Sequence, residues 1–278
     1  MNILVLGSSG QVGAYLTKYL QNAGHQVDEF DIVNGLNEDL RIEGNPKLLR
    51  LMRDTDFVFF LAFDVGGSRY LSRYQHTTDF MDNNMQIMLN TFSMLRQFAK
   101  PFVFASSQMS NMSYSPYGVL KSVGENYTRI LGGRVVKFWN VYGVENDPEK
   151  SHVITDFIKK AVKTGVIDMM TDGQETREFL YAEDCCEALE AVMNRYLSIP
   201  LDEELHITSF SENKVIEIAE LIAYRLGATI QPSDKRDMVQ KDKKNSPDTA
   251  ILKYWQPKTS ISDGIKKVIE GMHDTLIQ

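Results

Sequence analysis

Hydrophobic residues in the first half of the chain fall in short unbroken runs, separated by helix-length stretches of mixed character. Asn2–Leu6 (NILVL) is such a run and stops at a glycine, the pattern of a parallel strand buried on both faces. Behind it Val12, Leu16, Tyr19 and Leu20 recur at helical spacing, and Gly24 suits a helix stop. Gln26–Phe30 reads as a second strand, and 57–62 (FVFFLA) as a third, too apolar to have a wet face. A long helical pattern over about 77–98 runs through Phe80, Met85, Leu89, Phe92 and Leu95. A strand at 102–105, a helix at about 117–131 and a strand at 134–139 follow. Strands alternating with helices predict βαβ units, hence an α/β fold of the Rossmann type with a doubly wound parallel sheet.

From about Tyr142 the rhythm loosens. Helical stretches at about 151–164, 183–195, 212–226 and 260–275 enclose short strands such as 205–208, and 233–248 is a polar, charged loop. There are no repeats and no long linker, so two intimately packed parts fit better than two tethered domains.

Composition narrows the partners. The chain has 278 residues, 43% of them hydrophobic, enough for a large core. Thirty Lys and Arg face 37 Asp and Glu, a formal net charge of −7, which argues against nucleic acid or an anionic membrane as partner. Two adjacent cysteines, Cys185 and Cys186, make no disulfide framework. Met1 leads into an apolar strand without a basic leader, and no apolar run reaches the ~18 residues of a membrane span, so a cytoplasmic protein is expected. His25, His76, His152, His206 and His273 lack metal-ligand spacing, so no metal is predicted.

Two constellations carry chemistry. Gly7, Ser9, Gly10, Gln11, Val12 and Gly13 lie between the first strand and the first helix, where main-chain N–H groups and a helix N-terminus can meet a pyrophosphate. Asp31 follows, 24 residues beyond Gly7, where a carboxylate accepts the adenosine ribose hydroxyls and repels a 2′-phosphate; this favours NAD over NADP. Asp39 and Leu40 come where an acid and an apolar residue could hold an adenine edge, though alone they read as a loop. The second constellation is Tyr117 and Lys121, four apart and so on one helix face. An ammonium there, with a cationic nicotinamide, is expected to lower the phenol's pKa, so that Tyr117 takes a proton while the carbon beneath gives hydride. Ser106 and Ser107 close the preceding strand, where a serine can hydrogen-bond the same reacting oxygen.

Together these motifs resemble the extended short-chain dehydrogenase/reductases, the NAD-dependent sugar-nucleotide epimerase/dehydratase family. The likeness continues through Leu61-Ala62, Asn140-Val141-Tyr142-Gly143, the run 176–184 (TREFLYAED) and the run 255–260 (WQPKTS). It implies an NAD-binding part over 1–142, joined by about 177–204, and a smaller α/β substrate-binding part over 143–176 and 205–278. It implies Ser107, Tyr117 and Lys121 as catalytic residues, with Leu61, Ala62, Asn84 and Phe138 joining the cofactor set. Gln108, Asn140 and Arg177 would meet a nucleoside-diphosphate sugar, Asn140 and Arg177 at its diphosphate. A homodimer through the helices at about 77–98 and 117–131 is also implied.

Three departures refine this resemblance. Where the family's dehydratases and decarboxylases carry acids after the serine, this chain has Gln108 and Met109, and a thioether is no acid or base. Epimerases acting at C3 and C5 have a cysteine at the Met109 position. Hydride chemistry at one carbon survives, which points to a 4-epimerase. Next, only nine residues separate Ser107 from Tyr117, fewer than the family's usual pocket wall. Last, 64–69 (DVGGSR) resembles the GDP-sugar branch, so UDP- and GDP-sugars both stand as substrates. His76 is either a general acid or a polar residue at a helix start. Lys243 and Lys244 are either diphosphate ligands or solvated charges. The rival functions are an NAD(P)H-dependent 4-keto-sugar reductase and a non-catalytic NAD-binding sensor.

Overall fold

The computed structural model describes residues 1–145, 147, 149–236 and 245–276. Its main sheet has six parallel strands: β1 (Asn2–Leu6), β2 (Gln26–Phe30), β3 (Phe57–Phe60), β4 (Phe102–Ser107), β5 (Arg134–Phe138) and β9 (Leu205–Ile207), in the order β2-β1-β3-β4-β5-β9. The expected doubly wound α/β architecture is therefore present. Helices α1 (Gln11–Asn22), α2 (Pro46–Asp54), α3 (Ser68–Tyr74), α4 (Thr78–Phe98) and α5 (Pro116–Ile130) fill the connections.

Strand alternation sorts the core into two layers. Ile3, Val5, Phe57, Phe59 and Val103 face one side, packed with Leu16 and Leu20 of α1. Leu4, Leu6, Val58, Phe60, Phe102 and Phe104 face the other, with Met88, Phe92 and Leu95 of α4. Both faces are covered, which is why these strands are apolar without a break.

Past β5 the chain enters a second region: β6 (Asn140–Tyr142), α6 (Val153–Thr164), β7 (Val166–Asp168), β8 (Thr176–Tyr181) and α7 (Ala182–Asn194). After β9 come β10 (Glu212–Lys214), α8 (Val215–Leu226), β11 (Thr229–Gln231) and α9 (Ile261–Leu276). Strands β10, β8 and β6 form a three-stranded sheet, and β11 pairs with β7. A third apolar cluster, with Tyr142, Phe157, Ile158, Phe179, Ile218, Ile222 and Val268, fills this region.

Several sequence boundaries shift. Strand β3 stops at Phe60, so Leu61 and Ala62 lie just beyond it, and β4 runs on to Ser107 because Ser106 and Ser107 pair with Lys137 and Phe138. The stretch 212–214 is a strand on β8 and not the start of a helix. Leu205–Ile207, assigned above to the substrate-binding part, is the sixth strand of the main sheet, and α7 packs on α1.

Side chains tie the two regions together. The Tyr15 hydroxyl oxygen accepts from the Val144 N–H (2.9 Å). Asp64, in the loop after β3, accepts from Lys150 Nζ (3.2 Å) and Tyr70 (2.6 Å). Buried Asp184 of α7 accepts from the main-chain N–H of Lys258 (2.9 Å) and Thr259 (2.8 Å) and from the Thr259 hydroxyl (2.8 Å), anchoring the turn into α9. Asp184→Ala leaves those three donors unsatisfied and is expected to cost about 2–4 kcal/mol in urea unfolding. A loss below about 0.5 kcal/mol would show that the anchor is dispensable.

Candidate active site

The order β2-β1-β3 makes the carboxyl ends of β1 and β3 the topological switch point, where ligands of open α/β sheets sit. Gly7 follows β1 at φ +86°, and a Cβ there would lie 2.7 Å from the Ala62 main chain. A Cβ on Gly13 would lie 2.0 Å from the Gly7 carbonyl oxygen. Only glycine lets the turn, the start of α1 and the end of β3 approach so closely. Helix α1 starts at Gly10 without a side-chain cap and has no acid in its first turn. The N–H groups of Gln11, Val12 and Gly13 thus have no intrahelical acceptor. Buried Ser8 Oγ and Gln11 Nε2 also lack partners among the described residues. A loop with this surplus of donors fits an anion rich in acceptors, as a dinucleotide pyrophosphate is.

Asp31 ends β2 with its carboxylate accepting from the main-chain N–H of Ser9 (3.0 Å) and Val33 (3.1 Å). The Ser9 hydroxyl donates to Asn34 (3.2 Å). Glu38 accepts from Asp31 N (2.8 Å) and Asn34 Nδ2 (3.2 Å) and pairs with Lys47, which holds its carboxyl below the ordinary range against the cost of burial. The acid is thereby fixed at the rim of the crevice, where a ribose diol can reach it.

Other expected cofactor residues are engaged elsewhere. The Asp39 carboxylate is closed in the Arg41 fork (2.8–3.1 Å), a contact that depresses its pKa. Leu40 lies in the core with its carbonyl on Asn90 Nδ2 (3.0 Å). Both residues thus also have structural partners on the rim of the sheet. Asn84, fully buried, gives its whole amide to the main chain of Asp64 and Phe80 (2.7–3.1 Å) and clamps the loop after β3. Leu61 and Ala62 are half-buried at the switch point, and Phe138 is half-buried at the end of β5.

The catalytic candidates converge. Ser115 caps α5 by accepting from Gly118 N (3.2 Å), and Pro116 opens the helix, a position where its missing N–H costs nothing. A Cβ on Gly118 would lie 2.2 Å from the Met109 carbonyl, so glycine lets α5 press against the turn that carries Gln108 and Met109. This approach sets the Tyr117 phenol near enough to the Ser107 hydroxyl for the serine to lower its pKa, while the Ser107 oxygen accepts from Met109 N (3.2 Å). The neighbouring Ser106 hydroxyl turns away and donates to Glu125 (2.6 Å). Lys121 Nζ donates to the Ala105 carbonyl (2.7 Å) and sits 3.7 Å from the centroid of the Phe63 ring, which meets Tyr117 edge-on at 5.7 Å.

The expected acidification of Tyr117 by Lys121 is not delivered by the protein alone. Burial pushes the phenol up to about 12 despite Ser107, and burial lowers Lys121 to about 7 despite Glu125. The ammonium is turned to a carbonyl and an aromatic face.

On the substrate side, Asn140 donates to the Glu178 carbonyl (3.2 Å), and Arg177 Nη1 to the Thr176 carbonyl (2.7 Å). Asn140 registers with Phe179, two residues on from Arg177, so both project from one face of the β6–β8 pair. Gln108 is buried beside Ser107 and held by Asn245. His76 is exposed ahead of α4, whose cap is Thr77. Lys243 and Lys244 lie outside the described residues. Sequence reasoning missed Phe63, although an aromatic directly after Leu61-Ala62 could have flagged it. It also missed Asn245 and the His152–Glu145 pair (2.6 Å), which carry no local signal.

Comparison with known proteins agrees with the fold. The model of the family described as NAD dependent epimerase/dehydratase matches residues 3–207. An uncharacterised UDP-glucose epimerase of Bacillus subtilis is 26% identical over 314 residues, covering 97% of each chain. Among solved structures, an epimerase of Methanothermobacter thermautotrophicus has a TM-score of 0.87 at 23% identity, over 99% of this chain and 92% of that one. The WbmF enzyme of Bordetella bronchiseptica, solved with NAD+ and UDP, has a TM-score of 0.81 at 24% identity, over 99% and 93%.

Lys121 generates a pH-dependent prediction. Its folded pKa lies below the unfolded lysine value, so the unfolded state binds more protons between about 7 and about 10.4. The penalty is full below about 7 and fades as pH rises towards 10.4. Lys121→Met is therefore expected to be more stable than the parent at pH 6 by a few kcal/mol, with the gap narrowing by pH 9. Denaturant unfolding at both pH values checks this, and a gap independent of pH would refute it.

Proposed function

The chain belongs to the NAD-dependent epimerase/dehydratase family and is an NAD-dependent enzyme; on that footing we propose that it epimerises a nucleoside-diphosphate sugar at C4 by reversible hydride transfer. The observation that carries this reading is the convergence of Ser107, Tyr117 and Lys121 at the carboxyl end of β4: glycine at 118 lets α5 press on the turn after Ser107, and Lys121, one helical turn on from Tyr117, is held on the Ala105 carbonyl. The names of the Bacillus subtilis relative and the bound UDP of the Bordetella enzyme support a sugar-nucleotide substrate.

Bound NAD supplies the hydride acceptor and donor. The residues that would hold it are the 7–13 loop with its free donors, Asp31 at the ribose, and Leu61 and Ala62 at the switch point. An Asp31 carboxylate disfavours a 2′-phosphate, which supports NAD over NADP and weighs against the keto-sugar reductase. Tyr117 accepts the proton of the sugar hydroxyl, and Ser107 hydrogen-bonds the same oxygen. With the phenol raised to about 12 and Lys121 lowered to about 7 by burial, ionisation of Tyr117 at neutral pH needs positive charge beyond Lys121, which a bound nicotinamide cation would supply. Gln108 and Met109 offer neither acid nor base, so no second proton is moved at a neighbouring carbon. The keto-sugar turns in the pocket and is reduced on its other face, which inverts C4 without net use of cofactor. Asn140 and Arg177, on one face of the second sheet, are placed to take the diphosphate; a guanidinium matches its oxygens.

Tyr117→Phe is expected to lower turnover about 10³-fold with NAD content unchanged. NMR should show C4 inversion of a UDP- or GDP-hexose by the parent with no change in nicotinamide absorbance. Steady oxidation of added NADPH by a 4-keto-sugar nucleotide would instead establish a reductase.

A further inference from the structure

The turn after Ser107 is gripped by a residue from far along the chain. Asn245 Nδ2 donates to the Gln108 main-chain carbonyl (2.8 Å) and also meets the Gln108 side-chain oxygen, while Asn245 Oδ1 accepts from Asn111 Nδ2 (3.1 Å). The geometry decides which way round the amides lie. A main-chain carbonyl only accepts, so the Asn245 atom facing it is the nitrogen. That nitrogen needs an acceptor at the Gln108 side chain as well, so the Gln108 end facing it is Oε1. Gln108 Nε2, with two N–H groups, therefore points away from Asn245. It has no partner among the described residues, yet it is not among the atoms sealed from solvent. Gln108 itself is largely buried, so its carboxamide has little freedom to flip.

We propose that Asn245 is a specificity-determining positioning residue: it fixes the Gln108 carboxamide with its N–H groups towards the sugar, where they donate to an oxygen next to the reacting carbon. This rests on the proposed function and names what that site selects, a hexose carrying a hydrogen-bond acceptor at that place. The surroundings favour the role. Gln108 adjoins Ser107 in the turn against which α5 presses at Gly118, so its side chain starts next to the catalytic candidates Ser107 and Tyr117. Only nine residues join Ser107 to Tyr117, and Asn245, from the far end of the chain, holds the turn that opens this short segment. A neutral donor there also distinguishes substrates by polarity. A site built to donate discriminates against a sugar lacking the acceptor, because the donor is then left unpaired.

The test uses the full-length protein carrying Tyr117→Phe and loaded with NAD, so that bound sugar nucleotide is not turned over. Calorimetry gives Kd for UDP-glucose against UDP, and for GDP-mannose against GDP. Adding Asn245→Ala is expected to weaken the preferred sugar nucleotide about tenfold, with the bare diphosphate changed less than twofold. Gln108→Ala should match it, and the double variant should be no worse than either single one, because the two residues act as one unit. In the active enzyme, Asn245→Ala should raise KM about tenfold and change kcat less than threefold. Equal weakening of sugar nucleotide and diphosphate, no weakening, or additive losses in the double variant would each overturn the inference alone. A parent that binds both sugar nucleotides no more tightly than their diphosphates would overturn the proposed function with it.

Discussion

An ammonium held away from water at the end of an apolar sheet is the constraint around which the site is arranged. Lys121 is 3% exposed, and its immediate company is the Ala105 carbonyl and the face of Phe63. A buried charge needs such partners, and they extend outwards. Glu125, one turn further on α5, lowers the cost of the positive charge and is itself held by Ser106, Lys137 and Arg129. Lys137 in turn pairs with Glu204, which also meets His206. The serine pair ending β4 follows from this. Strand alternation sends the Ser106 hydroxyl to Glu125 and the Ser107 hydroxyl to the opposite face, where it accepts from Met109 N.

The layered half of the fold was legible because both faces of its sheet are buried, so strands appear as unbroken apolar runs and helices as 3.6-residue stripes. The regions that escaped are those where the pattern is too short to register. Strands β6, β7, β8 and β10 run to between three and six residues. Helix α2 buries only Leu48 and Met52, and begins at Pro46 behind an Asn45 cap whose side chain accepts from Lys47 N and Leu48 N. Strand β9 was visible as a strand but was assigned to the substrate-binding part, because its partners on β5 lie 69 residues upstream and adjacency in sequence says nothing of that pairing.

In the site, the residues legible in advance are those whose spacing is itself geometric: the glycine turn, Asp31 at a strand end, and Tyr117 with Lys121 at i, i+4. Contacts that depend on a neighbour's side chain were not legible. The Arg41 fork on Asp39, two positions on, and the Asn84 amide clamped on the main chain of Asp64 and Phe80 have no local signal. Asn245 could not have been found at all, since its partner lies 137 residues away.

The contacts of Tyr15 with Val144 and of Asp64 with Lys150 have a thermodynamic corollary. One begins on the helix whose end faces the cofactor, the other on the loop beyond the switch point, and both terminate on the segment leading into the second region. Were a ligand on one side to bind more tightly with these contacts made, reciprocity of linkage would require a ligand on the other side to gain by the same factor.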